Sequence, residues 1–431
     1  MSTGLIWFQN NLRIEDNLAL AEACKENDQV IAIYFFDPRQ FEFTECGFKK
    51  TGKFRAKFLI ETVTELKENL TSLNIPLFIY QEKPEHYLPQ FLQEYDISNV
   101  YLQKEWTREE QKIISKVKKE VSETIQFKAF YDQFLFHPED IPYSNFNEIP
   151  KVFTEFRKKC EAKVSVRKYS PTPQPLNTEN FDLKNKTEIP NLKALGFEEF
   201  AQDSRTAFPF KGGENQAKKR IQQYFWETRN LAKYKQTRNG LIGEAYSSKL
   251  SAWLANGSIS AKQVYWEVKK FEKEITKNQD TYWLIFELIW RDYFKFISLK
   301  HGNKIFKISG ILEKDLDWNK DEKARENWIN GETKEPFVNA NMKELAATGF
   351  MSNRGRQNVA SYWAKELKQD WRVGAAYFES LLIDYDVHSN WGNWMYNSGV
   401  GNDPRDRKFN IKRQAEHYDP DQKFQNLWLK E

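Results

Sequence analysis

Five short apolar runs, at residues 5–8, 30–36, 77–80, 100–102 and 125–130, alternate with stretches of helical periodicity at residues 17–24, 51–73, 84–95 and 107–121. Strands separated by helices cannot pair as tight hairpins, so this order predicts an α/β domain with a parallel, doubly wound five-stranded sheet. Sheets of that kind hold ligands beyond the carboxyl ends of their strands. The chain offers Asn10, Asn11 and Arg13 after the first strand, Asp37 after the second, and Lys104, Glu105 and Trp106 after the fourth. No glycine-rich phosphate loop is present, which argues against a dinucleotide or P-loop site in this half and favours a scaffold or docking domain.

The alternation stops near residue 130. Residues 131–200 are punctuated by Pro138, Pro142, Pro150, Pro171, Pro173, Pro175 and Pro190 and read as a long linker, broken by one helix at residues 152–164. Beyond residue 200 only helical patterns recur, so the expected organisation is a sheet domain over 1–130, a linker over 131–200 and an all-helical domain over 201–431. Lys and Arg number 65 against 61 Asp and Glu, so nucleic-acid binding would need a local basic face. Cys24, Cys46 and Cys160 have no metal-ligand spacing, and no metal site is expected. With no membrane-length apolar run and no basic-then-apolar leader, the expectation is a cytoplasmic protein without membrane association.

The chemistry lies in the helical half. A helix is expected over 214–231, followed by Tyr234 and the cationic turn Lys235-Gln236-Thr237-Arg238-Asn239-Gly240. Ser247, Ser248, Lys249, Leu250 and Ser251 stand where a helix should start, and hydroxyls, a cation and backbone N–H groups suit a phosphate; plain N-capping is the alternative. Over residues 281–300, Trp283, Glu287, Trp290, Arg291 and Phe294 share one helical face, with Glu287 and Arg291 spaced to pair one turn apart. Residues 353–358 bring Arg354 and Arg356 together with Asn353, Gln357 and Asn358, and one of these arginines is a natural partner for Asp384. Residues 381–396 place Asp384 and Asp386 behind three aliphatics and follow them with Asn390, Trp391, Gly392, Trp394 and Tyr396. Buried carboxylates need donors or a cation, and the amides and indoles suit the wall of a pocket for a flat, hydrogen-bonding ligand. A tryptophan-rich helix pair with a satisfied Asp network would use the same residues.

Read together, these segments are similar to the photolyase and cryptochrome family, most nearly its cryptochrome DASH branch. The resemblance spans the chain. It is carried by Trp7-Phe8-Gln9-Asn10-Asn11-Leu12-Arg13, Phe286-Glu287-Leu288-Ile289-Trp290-Arg291-Asp292, Gly349-Phe350-Met351-Ser352-Asn353-Arg354-Gly355-Arg356, Asp384-Tyr385-Asp386-Val387 and Gly399-Val400-Gly401-Asn402-Asp403-Pro404-Arg405. It implies non-covalent FAD in the helical domain, with Tyr234, Ser247, Ser248, Lys249, Leu250 and Ser251 at its phosphates and ribityl chain. Glu287 and Arg291 would lie near the ring edges, Arg356 would pair with Asp384, Asp384 and Asp386 would bracket the flavin, and Asn390 would face N5. Trp394, Trp371 and Trp318 match an electron-transfer chain, although each alone could be packing.

The resemblance further implies a deoxyribodipyrimidine photolyase-type lyase: blue light drives an electron from reduced FAD into cyclobutane pyrimidine dimers, preferentially in single-stranded DNA. Glu287, Trp290 and Tyr396 would form the dimer pocket, and Asn353, Arg354, Gln357, Arg405 and Arg407 would contact DNA. A 5,10-methenyltetrahydrofolate antenna at Glu105 is implied as well, and a monomer is expected. The rival expectation is a blue-light photoreceptor that binds RNA or undamaged DNA without significant repair.

Overall fold

A computed structural model describes residues 2–181 and 185–430. β1 (Thr3–Phe8), β2 (Gln29–Phe35), β3 (Leu77–Tyr80), β4 (Ile97–Gln103) and β5 (Gln126–Phe130) form one sheet in the order β3-β2-β1-β4-β5, with every pairing parallel. β1 is buried from Gly4 to Phe8, as a central strand covered on both faces must be. The helices Leu18–Glu26, Lys53–Thr71, Pro84–Glu94 and Arg108–Glu120 supply the crossovers. The strand order reverses at β1, so the crevice expected in such folds opens beyond its carboxyl end.

The helical half packs around one large core that the expected linker joins. Phe153, Phe156 and Cys160 of the helix Phe153–Lys163 are buried in it. Its spine is the helix Gln279–His301, begun by a reciprocal cap between Asn278 and Thr281. Asp292, on that helix, accepts the Leu135 and Phe136 backbone N–H groups at 2.7–3.0 Å and so anchors the chain as it leaves the sheet. The helix expected over 214–231 is shorter: it runs Glu214–Ile221, widens into a π-helical stretch over Gln222–Glu227 and stops before Arg229, whose φ is 51°.

The two halves meet backbone to backbone. A Cβ on Gly257 would lie 2.0 Å from the Asn10 carbonyl oxygen, and one on Gly52 would lie 2.4 Å from the Ser380 carbonyl oxygen. Arg13 belongs to this seam and not to a ligand: its guanidinium donates to the Asp16, Gly257 and Asp132 carbonyl oxygens and lies 3.2 Å from the Asp132 carboxylate.

Candidate cofactor site

Polar side chains begin three of the helices that carry the site. Ser352 caps Asn353–Ser361, Asp370 caps Trp371–Leu381, and Asp386 caps Val387–Ser398 by accepting the Ser389 N–H. Asp386 therefore has a structural task as well as a site position, and Lys295 meets its other oxygen at 3.0 Å. Burial pushes this carboxyl up, but Lys295, with His388 and Arg291, outweighs it and holds Asp386 well below the usual carboxylate range. Asp384 is paired through both oxygens with Arg356 Nη2 at 2.9 Å, while Arg356 Nε holds the Met351 carbonyl. Asn390 donates its amide to the Ala375 carbonyl at 3.0 Å, which fixes the side chain and leaves its oxygen to accept.

The serine run does not start a helix where expected. The helix Ser251–Asn256 begins after it, with Leu250 at the cap position, and Lys249 sits at φ 61° in the loop. Arg220, buried, ties that loop down through the Ser247, Ser248 and Glu244 carbonyls at 2.8–3.0 Å, a partner that helical periodicity does not single out. Ser248 and Leu250 are buried, Ser247 is half-buried and Ser251 is exposed. Lys249 turns inward, its ammonium 3.2 Å from the Tyr246 ring centroid and 4.4 Å from that of Phe350. Burial holds the Lys249 ammonium well below its ordinary pKa and pushes the neighbouring Glu344 carboxyl up to about 8.

This region fits a polar, phosphate-bearing cofactor. Lys249 Nζ, Tyr246 OH and Glu344 Oε2 are buried polar atoms without a partner among the described residues. Unpaired buried groups cost roughly 1–3 kcal/mol each, and the oxygens and hydroxyls of a dinucleotide would relieve several of them. Tyr234 is buried on the short helix Tyr234–Thr237.

Glu287 and Arg291 do not pair with one another. Glu287 is held by Arg238 at 2.7 Å, and Arg291 donates to the Gln133 and Leu254 carbonyls at 2.6 and 2.9 Å. Burial raises the Glu287 carboxyl and Arg238 lowers it. Trp290 stacks on Phe153 with centroids 3.7 Å apart and meets Tyr396 edge-on at 5.9 Å. Asn353 and Arg405 are exposed and Gln357 is half-buried, whereas Arg354 lies over the Tyr418 ring with Asn239 and Gln414 at its nitrogens. Arg407 reaches the Tyr396 hydroxyl at 3.2 Å. Trp371 and Trp394 are buried, and Trp318 is half-buried beside the strand-like contact of Asn319 with Gln369.

A cavity of about 960 Å³ lies between the halves at the carboxyl ends of β1, β2 and β4, walled by Asp37, Gln103 and Glu105 on one side and by Lys295, Asp386 and His388 on the other. Glu105 accepts from Gln103 at 2.6 Å, and burial, aided by Glu110, pushes its carboxyl up to about 7. Trp106 crosses the seam, stacked on His388 at 4.6 Å while its indole N–H donates to Ser298.

Comparison with known proteins agrees with this architecture. The family described as DNA photolyase matches residues 4–176, and the FAD binding domain of DNA photolyase matches residues 283–431. Cryptochrome DASH of Gloeobacter violaceus is 45% identical over 431 residues, covering 100% of this chain and 86% of the relative. Cryptochrome DASH of Xenopus laevis is 45% identical over 427 residues, covering 98% of this chain and 82% of the relative. The crystal structure of a Synechocystis sp. cryptochrome superposes with a TM-score of 0.94 at 44% identity, covering 100% of this chain and 89% of that one. An archaeal photolyase from Sulfolobus tokodaii, solved with two FAD molecules, gives a TM-score of 0.79 at 26% identity, covering 100% and 90%. No helix among the described residues is long and apolar enough to cross a membrane. With family matches at both ends and full-length relatives, the chain belongs to the photolyase and cryptochrome family, in its cryptochrome DASH branch, and its helical half is the FAD-binding domain.

Proposed function

We propose that this protein is a blue-light-driven lyase that splits cyclobutane pyrimidine dimers, preferentially in single-stranded DNA. The observation that carries the reading is the half-buried Glu287, oriented by Arg238 and flanked on its own helix by Trp290. Reduced FAD, when bound, supplies on illumination the electron that opens the cyclobutane ring and recovers it afterwards.

The side chains position and insulate; none acts as a nucleophile. Glu287 hydrogen-bonds the dimer's bases, its carboxyl donating to a base carbonyl when protonated and accepting from a base N–H when ionised. Trp290 and Tyr396 form an apolar corner, and a phenol there gives a flipped dimer less stacking area than a second indole would. A duplex would therefore recover less of its unstacking cost, whereas a single strand has little to recover. Asp384, neutralised by Arg356, and Asp386, neutralised by Lys295, bracket the flavin ring. The Asn390 carbonyl accepts a hydrogen bond from a protonated flavin N5. Tyr234, Ser247, Ser248, Lys249, Leu250 and Ser251 hold the phosphate and ribityl end, and Arg405 and Arg407 with Asn353, Arg354 and Gln357 line the DNA rim. Trp394, Trp371 and Trp318 carry electrons inward to recharge the flavin. The cleft at Glu105 holds 5,10-methenyltetrahydrofolate as antenna, and a monomer in the cytoplasm is the working state.

The deciding experiment is illumination of the reduced protein with single- and double-stranded oligonucleotides containing one dimer. Repair of the single strand alone is expected. Repair of neither would give preference to a photoreceptor that binds nucleic acid without mending it.

A further inference from the structure

Trp371, the second member of the expected indole chain, packs its ring against Trp391 at 5.6 Å, and its helix reaches Trp394 through Gly374, where a Cβ would lie 2.3 Å from the Trp394 ring. Another indole touches Trp394 directly. Trp328, on the helix Glu322–Asn330, lies 6.3 Å from Trp394 at an interplanar angle of 73°, and Trp363, in the π-helical turn Tyr362–Glu366, lies 4.6 Å from Trp328 at 40°. All three rings are at most 2% exposed. Trp363 does not end blindly. Its indole N–H donates to the Asp370 carbonyl at 2.9 Å, and its own carbonyl accepts the Gln369 N–H at 3.2 Å. The same segment is bound from outside by the Asn319 N–H, which donates to the Lys368 carbonyl at 2.6 Å, and Trp318 is the residue before Asn319, so a backbone path links it to Trp363.

We propose that Trp394, Trp328 and Trp363 form a second electron-transfer branch that bypasses Trp371 and rejoins the first at Trp318. The proposal rests on the flavin reading above. Trp394 would give one electron to a bound, oxidised flavin on illumination. Trp328 then gives one electron to oxidised Trp394, Trp363 gives one to Trp328, and Trp318 gives one to Trp363. A small-molecule thiol in solution returns the electron to Trp318. No bond between heavy atoms forms or breaks. The inner indoles keep their N–H protons, because Trp328 Nε1 is buried without an acceptor and Trp363 Nε1 faces a backbone carbonyl, which is no base.

The test compares flavin-loaded wild type with Trp371→Phe, Trp328→Phe, the double variant and Trp394→Phe. It reads the nanosecond indole-radical absorption and the flavin-to-indole spin distance by pulsed electron paramagnetic resonance, beside the photoreduction rate. Phe keeps a ring at each site, and flavin content with thermal melting checks the fold. Trp371→Phe should still form a long-lived indole radical, and adding Trp328→Phe should lower its yield by about tenfold more. Should Trp328→Phe not fold, Trp363→Phe cuts the same branch one step further out. A Trp371→Phe protein as silent as Trp394→Phe, or a double variant no worse than Trp371→Phe, overturns the branch. Loss of photoreduction in the wild type would overturn the flavin reading itself, and the Trp394→Phe comparison keeps the two failures apart.

Discussion

Arg238 and Glu287 meet at 2.7 Å where the end of the short helix Tyr234–Thr237 crosses the long helix Gln279–His301. Burial raises the Glu287 carboxyl, and the guanidinium pulls it back. Arg238→Ala removes only the lowering influence, so Glu287 keeps its proton to higher pH. The alkaline limb of dimer splitting, followed as quantum yield against pH, should move to higher pH. A limb that stays in place would mean that Glu287 is not the titrating group.

Asp384→Asn removes the anionic partner of the Arg356 guanidinium and leaves it the Met351 carbonyl and one amide oxygen. Removing one partner of a buried pair costs several kcal/mol; Arg356 is 24% exposed, so about 2 kcal/mol is expected here. Urea unfolding of flavin-loaded protein measures the loss, and flavin retention on gel filtration should fall with it.

Glu105 makes stability depend on pH. Its carboxyl sits at about 7 in the folded chain against an ordinary value of 4.5, so the folded state binds the proton more tightly than the unfolded one. Stability is therefore lost as pH rises from 4.5 to about 7 and is level outside that window. Glu105→Gln should raise the melting temperature at pH 8, by the equivalent of up to about 3 kcal/mol, and leave it unchanged at pH 4. The same variant should weaken a near-ultraviolet band from a pterin in the cleft. A pigment that extracts as a second flavin would reassign the antenna.

Two rim arginines should differ. Arg405 is exposed, whereas Arg354 is committed to Tyr418, Asn239 and Gln414. Arg405→Ala should reduce the slope of log affinity against log salt for single-stranded DNA by about 0.7, the value of one phosphate contact. Arg354→Ala should weaken binding with a smaller change of slope.

All five runs became strands: four were legible because parallel strands buried on both faces are near-continuous apolar runs, whereas β5, at the sheet edge and without a buried residue, alternates polar with apolar. The two aspartates were legible because three aliphatics before Asp384 demand burial, and burial demands a partner. Periodicity could name Arg356 as that partner only among alternatives, and it could not find Lys295 for Asp386, Arg238 for Glu287 or Arg220 for the serine loop. Those partners come from other helices, and crossing geometry fixes them where local spacing cannot. Glu287 and Arg291 illustrate the limit: their one-turn spacing predicts a pair, but the Gln133 and Leu254 carbonyls claim the arginine. The serines at 247 and 248 failed as a helix start because the chain first turns through Lys249 in the left-handed region.

Main-chain contact at Gly257 and Gly52 leaves the sheet and the helices no room to slide past each other. Any pigment lodged in the cleft would therefore see the flavin at a constant distance and tilt. Its efficiency as a light collector would be set when the chain folds, and substituting either glycine should detune it even though neither lines the cleft.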